Sequence, residues 1–138
     1  MATFCLTNPY CMIVSTEVTE YVRSVEVTYS KEIKDTTYSG CTGKARGAGL
    51  ADWSMKITFL QDYAAGKIDA LLHAAVGVST AIKIRPIDTD IAATNPEYRG
   101  NGLLAEYSPI AGAVGDWAET SVTFECADGV ALIRSESA

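Results

Sequence analysis

Four groups of residues in this chain have types that could support chemistry, and each is tested by its spacing. His73 is the only histidine, so any Ser-His-Asp arrangement must pass through it, and no second imidazole exists to share a metal. It falls near the apolar stripe of a predicted helix, which points to a packed or partly exposed side chain. Asp88, Asp90 and Asp116 occupy predicted loops where a hard cation could sit, yet their spacing fits no calcium loop, and a solvated face accounts for them. The run Gly40-Cys41-Thr42-Gly43-Lys44-Ala45 has the glycines and lysine of a phosphate-binding loop but not the spacing. That motif needs four residues between the glycines and a Ser or Thr after the lysine. Cys5, Cys11, Cys41 and Cys126 lie 6, 30 and 85 residues apart, without the close pairs of zinc knuckles or redox dithiols, and are read as free thiols. Aromatic residues make up 9% of the chain and do not interleave with basic clusters, which argues against a stacking platform for single strands. Tyr98, Tyr107 and Trp117 are expected at the edge of the core. No acid, base and nucleophile converge, so no catalytic residue, metal or cofactor is assigned and an enzyme is not expected.

Composition sets wider bounds. With 138 residues, 48% of them apolar, the chain is long enough for a single domain with a real core. A formal charge of −6 and a pI near 4.7 disfavour a nucleic-acid binder, which gathers lysine and arginine to replace phosphate counterions. The charge is polarised: residues 1–50 carry five basic and five acidic side chains, and residues 51–138 carry six and twelve. The opening MATFCLTNPY has neither the basic region nor the long apolar run of a signal peptide or membrane helix, so synthesis in the cytoplasm without membrane insertion is expected.

The elements that would position these residues are mostly strands. Residues 1–10 are expected as an irregular arm, followed by a short apolar run at Cys11–Val14. Val25 and Val27 alternate with Ser24, Glu26 and Thr28 in a half-buried strand over Tyr21–Tyr29. From Ser30 to Asp52 the periodicity fails, and a long loop is expected. In Asp52–Leu60, Trp53, Met55, Ile57 and Phe59 fall on one face of a central strand. Ile68, Leu71, Leu72, Ala75 and Val76 repeat as one apolar stripe of a helix that ends at Gly77. Ser79–Arg85 resumes as strand until Pro86.

Beyond Asn95-Pro96, Gly100 and Gly102 suggest a turn before an extended Leu103–Pro109, and a glycine-rich corner follows at Gly112–Asp116. Thr120, Val122, Phe124 and Cys126 then alternate with Ser121, Thr123 and Glu125. Asp128-Gly129 suggests a hairpin that returns Val130–Arg134 antiparallel to that strand. Trp53, Ile57, Phe59, Ile68, Leu71, Leu72, Val122 and Phe124 are expected in the core. The sum is a mainly β fold with one α-helix, a two-sheet β-sandwich or barrel with a long loop after the first strands.

Several stretches, in order, resemble the major tail protein, or tail tube protein, of long-tailed bacteriophages. They are VTEYVRSVEV at Val18–Val27, LADWSMKITFLQDY at Leu50–Tyr63, KIDALLHAAVG at Lys67–Gly77, and NPEYRGNGLLAEYSPIAGAVGDWAETSVTFECADG at Asn95–Gly129. Ala131-Leu132-Ile133 departs from the more polar final strand of that family, and the arm before Cys11 has no counterpart. The resemblance implies a tube-type β-sandwich, six copies of which form a ring. Stacked rings would make the virion tail tube through which DNA passes during ejection, with assembly in the host cytoplasm. It implies partners in other tail proteins: terminator, tape measure and distal tail. It places inter-subunit contacts in the 30–52 loop, at Tyr38, Lys44 and Arg46, and turns Ser121, Thr123 and Glu125 toward the lumen or a neighbouring subunit. The alternatives are a tail terminator, a capsid decoration protein, or a small ligand-binding β-sandwich, though the last would want aromatics clustered over a concave sheet.

Overall fold

Alternation of apolar and polar residues gives this chain its core strands. The structure, a computed structural model, describes residues 3–137. The strands are β1 (Tyr10–Ile13), β2 (Thr16–Glu17), β3 (Val22–Asp35), β4 (Arg46–Leu60), β5 (Ser79–Arg85), β6 (Glu97–Leu104), β7 (Glu119–Cys126) and β8 (Ile133–Ser135). A single α-helix, α1, spans Ile68–Ala75, and a short 3-10 turn precedes β3. The fold is mainly β with one helix, as expected. Its strands form one continuous antiparallel sheet in the order β2-β1-β5-β6-β7-β4-β3, with β8 pairing on β6.

That sheet curls into two facing layers around one core. Cys11 and Ile13 of β1 and Ile82 and Ile84 of β5 join Trp53, Met55, Ile57 and Phe59 of β4 and Val122 and Phe124 of β7 in a single cluster, with Val25 and Val27 of β3 packed against it. Helix α1 closes the cluster with Ile68, Leu72 and Ala75, while Leu71 is half-buried. Each large apolar side chain taken fully out of water contributes about 2 kcal/mol. Gly77 follows the helix with φ +74°, the left-handed stop that glycine adopts most easily.

Three expectations are corrected. Residues 30–52 are not mainly a loop: Lys31 pairs with Ala51, Ile33 with Ala48 and Asp35 with Arg46, so β3 and β4 run on as a hairpin beyond the core. Both faces of that ribbon meet solvent, so no apolar face imposes a period of two. Gly100 and Gly102 lie within β6, not in a turn. Both glycines sit under large side chains, where a Cβ on Gly102 would come within 2.7 Å of the Phe124 Cβ. Finally, the Asp128-Gly129 turn forms, but β8 pairs with β6 and not with β7. Both edges of β7 are already engaged there, by β4 through Ser54–Leu60 and by β6 through Gly102–Leu104.

Candidate assembly surfaces

Pairing register builds a flat polar face across three strands. Ser24, Thr58 and Ser121 form one row, Glu26, Lys56 and Thr123 the next, and Thr28, Ser54 and Glu125 a third. Residues paired across strands share a face, so the apolar partners Met55, Ile57, Val122 and Phe124 turn inward and these rows turn out. Thr58 Oγ1 and Ser121 Oγ are 2.9 Å apart and share a hydrogen bond. Glu26 and Lys56 are directly opposed, a favourable cross-strand pair. Ser121, Thr123 and Glu125 are all exposed on this face.

The sheet ends unequally. One terminal strand, β2, has two residues; the other, β3, has fourteen. Fourteen residues therefore present one edge that is unpaired among the described residues. Beyond Trp53 the ribbon loses its second neighbour as well, because pairing of β4 with β7 begins only at Ser54↔Glu125. The far edge of Arg46–Trp53 is thus also free among the described residues.

Tyr38, Lys44 and Arg46 come together at the tip of this hairpin. The tip is held by a hydrogen bond from Thr36 N to Ala45 O at 2.9 Å and from Ala45 N to Thr37 Oγ1 at 2.9 Å. The Thr37 hydroxyl and backbone N–H, both turned to Asp35, hold its carboxyl below the usual carboxylate range. Tyr38 is 71% exposed, and neither Lys44 nor Arg46 joins an ion pair among the described residues. The structure does not bring these three residues near Ser121, Thr123 and Glu125.

The residues tested for chemistry form no reaction centre among the described residues. His73 is exposed on α1. The Gly40–Lys44 run leads into a strand and not a helix, so it lacks the helix N-terminus that gathers phosphate. Near Asp88 and Asp90 the Asn95 side-chain amide donates to Ile87 O, Thr89 O and Asp90 O at 3.1–3.3 Å. Those are carbonyls a cation would otherwise need. All four cysteines are free thiols, and burial pushes the Cys11 thiol up to about 12.

A second surface escaped the sequence. Trp117, expected at the core's edge, is 85% exposed, together with Ile110 and Val114 on the loop between β6 and β7. The base of that loop is stapled. Gln61 Nε2 donates to Tyr107 Oη and Pro109 O, both at 2.8 Å, Tyr63 Oη donates to Pro109 O at 2.6 Å, and Thr120 Oγ1 donates to Ser108 O at 3.0 Å. Three large apolar side chains among small residues and two glycines, in IAGAVGDW, were the available signal.

The fold has counterparts in solved assemblies. A chain in the virion of the native gene transfer agent particle superposes with a TM-score of 0.65, 16% identity, and coverage of 91% of this chain and 95% of that one. The likeness is one of fold. A chain from the tail of the empty gene transfer agent particle, refined with C6 symmetry, gives 0.62 at 16% identity over 86% and 83% of the two chains. One from the six-fold symmetrised baseplate of the anti-feeding prophage gives 0.60 at 8% identity over 97% of each. No protein-family profile matches the sequence, and neither does any curated protein.

Proposed function

We propose that the protein is a structural, non-enzymatic component of a phage-type tail, a subunit that joins edge to edge into six-membered rings that stack as the tube for DNA delivery. The fourteen-residue free edge of β3 carries this reading. A long unpaired edge invites uncontrolled pairing unless something covers it, and a neighbouring copy covers it by continuing the sheet. The free far edge of Arg46–Trp53 offers a second strand for the same purpose. Pairing two different edges is heterologous, and it closes into a ring when the rotation from copy to copy returns to the first. The six-fold tail and baseplate assemblies that contain this fold support the ring order.

In such a ring the polar face of β3, β4 and β7 would line the lumen. Six copies at −6 each carry a formal −36, and like charge keeps DNA from adhering to the wall. Terminator, tape measure and distal tail proteins would be its partners in the virion. The likeness to a baseplate chain favours one second reading, a ring that caps or joins and does not repeat. Negative-stain microscopy of the purified protein decides between them. Six-fold tubes are expected, discrete rings would indicate the second reading, and dispersed monomers at high concentration would overturn both.

A further inference from the structure

We infer that copies stack head to tail by seating the apolar loop tip of one, Ile110, Val114 and Trp117, in an apolar groove at the opposite end of the next. This rests on the tube reading and names its axial contact. The groove, of about 530 Å³, lies between the inner face of β3 and the ends of β5 and β6, and is lined by Phe4, Leu6, Val27, Ile84, Tyr98 and Leu132 among others.

Strands β5 and β6 place the loop and their own wall of the groove at opposite ends, while the β3 wall runs from Val25, near the loop, to Tyr29, away from it. Strand β6 meets the groove at Tyr98, near its start, and releases the loop after Leu104, its last residue. Six strand steps, about 20 Å, separate the two along the sheet. Strand β5 runs the other way and agrees: Ser79 pairs with Leu103 at the loop end, and Ile84 pairs with Tyr98 at the groove end. A knob and a socket at opposite ends cannot satisfy each other within a twofold dimer. They link copy after copy, which yields an open stack.

Charge selects the same occupant. Residues 105–119 carry Glu106, Asp116 and Glu119 and no cation of their own, and the neighbouring Arg23, paired with Glu119 at 3.4 Å, leaves the loop net acidic. The hairpin projects from the groove end, and its residues 30–46 carry Lys31, Lys34, Lys44 and Arg46 against Glu32 and Asp35. An acidic, apolar end therefore approaches a basic end with an apolar socket, which orients the stack as well as holding it. The knob is large enough to matter, since a tryptophan alone buries roughly 150–250 Å².

The two tryptophans make the contact measurable, because Trp53 is 2% exposed and Trp117 is 85% exposed. Acrylamide quenching of dispersed protein should reach one tryptophan of the two; in assembled tubes it should reach neither. The substitution Trp117→Asp, at an exposed site, should leave the unfolding midpoint and the rings intact and abolish the tubes. Tubes in which Trp117 stays quenchable, or normal tubes from W117D, would overturn the stacking contact and leave the ring reading standing. Wild-type rings that never stack would do the same, while protein forming neither rings nor tubes would overturn both.

Discussion

Gly100 lies against the indole of Trp53 so closely that a Cβ there would stand 2.4 Å from Cζ2. Trp53 is otherwise fixed, 2% exposed and donating from Nε1 to Val130 O at 3.1 Å, so the ring cannot retreat. Gly100→Ala is expected to destabilise by about 1–3 kcal/mol, the usual cost of overpacking a core. Urea unfolding checks it. In a Trp53→Phe background the same alanine should cost less, and additivity of the two substitutions would show that they do not share this space.

Val14 turns the two-residue connection between β1 and β2 with φ +60°, a left-handed conformation held by a β-branched residue. It is 57% exposed, so little packing compensates the strain. Val14→Asn keeps the backbone N–H that donates to Ala81 O at 2.8 Å and should stabilise the protein by about 1 kcal/mol. An unchanged or lower thermal midpoint would count against strain at this residue.

Much of this architecture was legible because burial imposes a period. The inward faces of β4, β5 and β7 and the stripe on α1 follow from alternation that a short window contains. What stayed hidden depends on distant neighbours. Gly100 and Gly102 look like turn residues until Trp53 and Phe124 are placed over them, and the partner of β8 depends on which edges of β7 are already taken. The hairpin has no inner face to impose a pattern. Trp117 was misplaced for the opposite reason: apolarity locates a side chain inside one subunit, and nothing local marks one kept outside it. Among the candidate contacts, Tyr38, Lys44 and Arg46 do share a hairpin tip, although the ribbon that carries them was expected as loop.

Arg85 and Glu97 form a part-buried pair in which Nη2 and Nε reach Glu97 Oε2 at 3.0 and 3.1 Å. Nη1 donates to Thr89 O at 3.0 Å, and the guanidinium carbon lies 4.2 Å from the centre of the Tyr10 ring. Glu97 is the buried member, so removing Arg85 strands a carboxylate away from water. Arg85→Ala should therefore cost about 3–5 kcal/mol, whereas replacing both residues by methionine should cost markedly less. Chemical denaturation of the two variants tests this, and equal losses for the single and double changes would refute it.

Tyr107 links the loop base to the helix, donating from its hydroxyl to Asp69 Oδ1 at 2.8 Å while accepting from Gln61 Nε2. Burial first, and the Asp69 carboxylate after it, push its hydroxyl up to about 12. An unfolded tyrosine titrates near 10. The folded value is the higher, so this contribution to stability is fully present below pH 10 and is lost as pH rises toward 12. Tyr107→Phe should be the less stable protein at neutral pH and show a shallower decline over that interval. Parallel slopes for the two proteins between pH 10 and 12 would remove Tyr107 from the account.

Glu125 occupies the third polar row beside Ser54 and Thr28, exposed and outside any ion pair among the described residues. Surface substitutions of that kind change stability by no more than about 0.5 kcal/mol, so Glu125→Lys should fold and assemble normally. Its effect should fall on the tube's traffic. If the row faces the lumen, each six-membered ring gains six cations where it had six carboxylates, and the wall acquires phosphate affinity that salt weakens. Glu125→Lys particles should eject DNA more slowly than the parent at low salt and recover as salt is raised. An ejection rate that matches the parent at every salt concentration would place Glu125 on the outer wall and reverse the orientation of the whole three-stranded face.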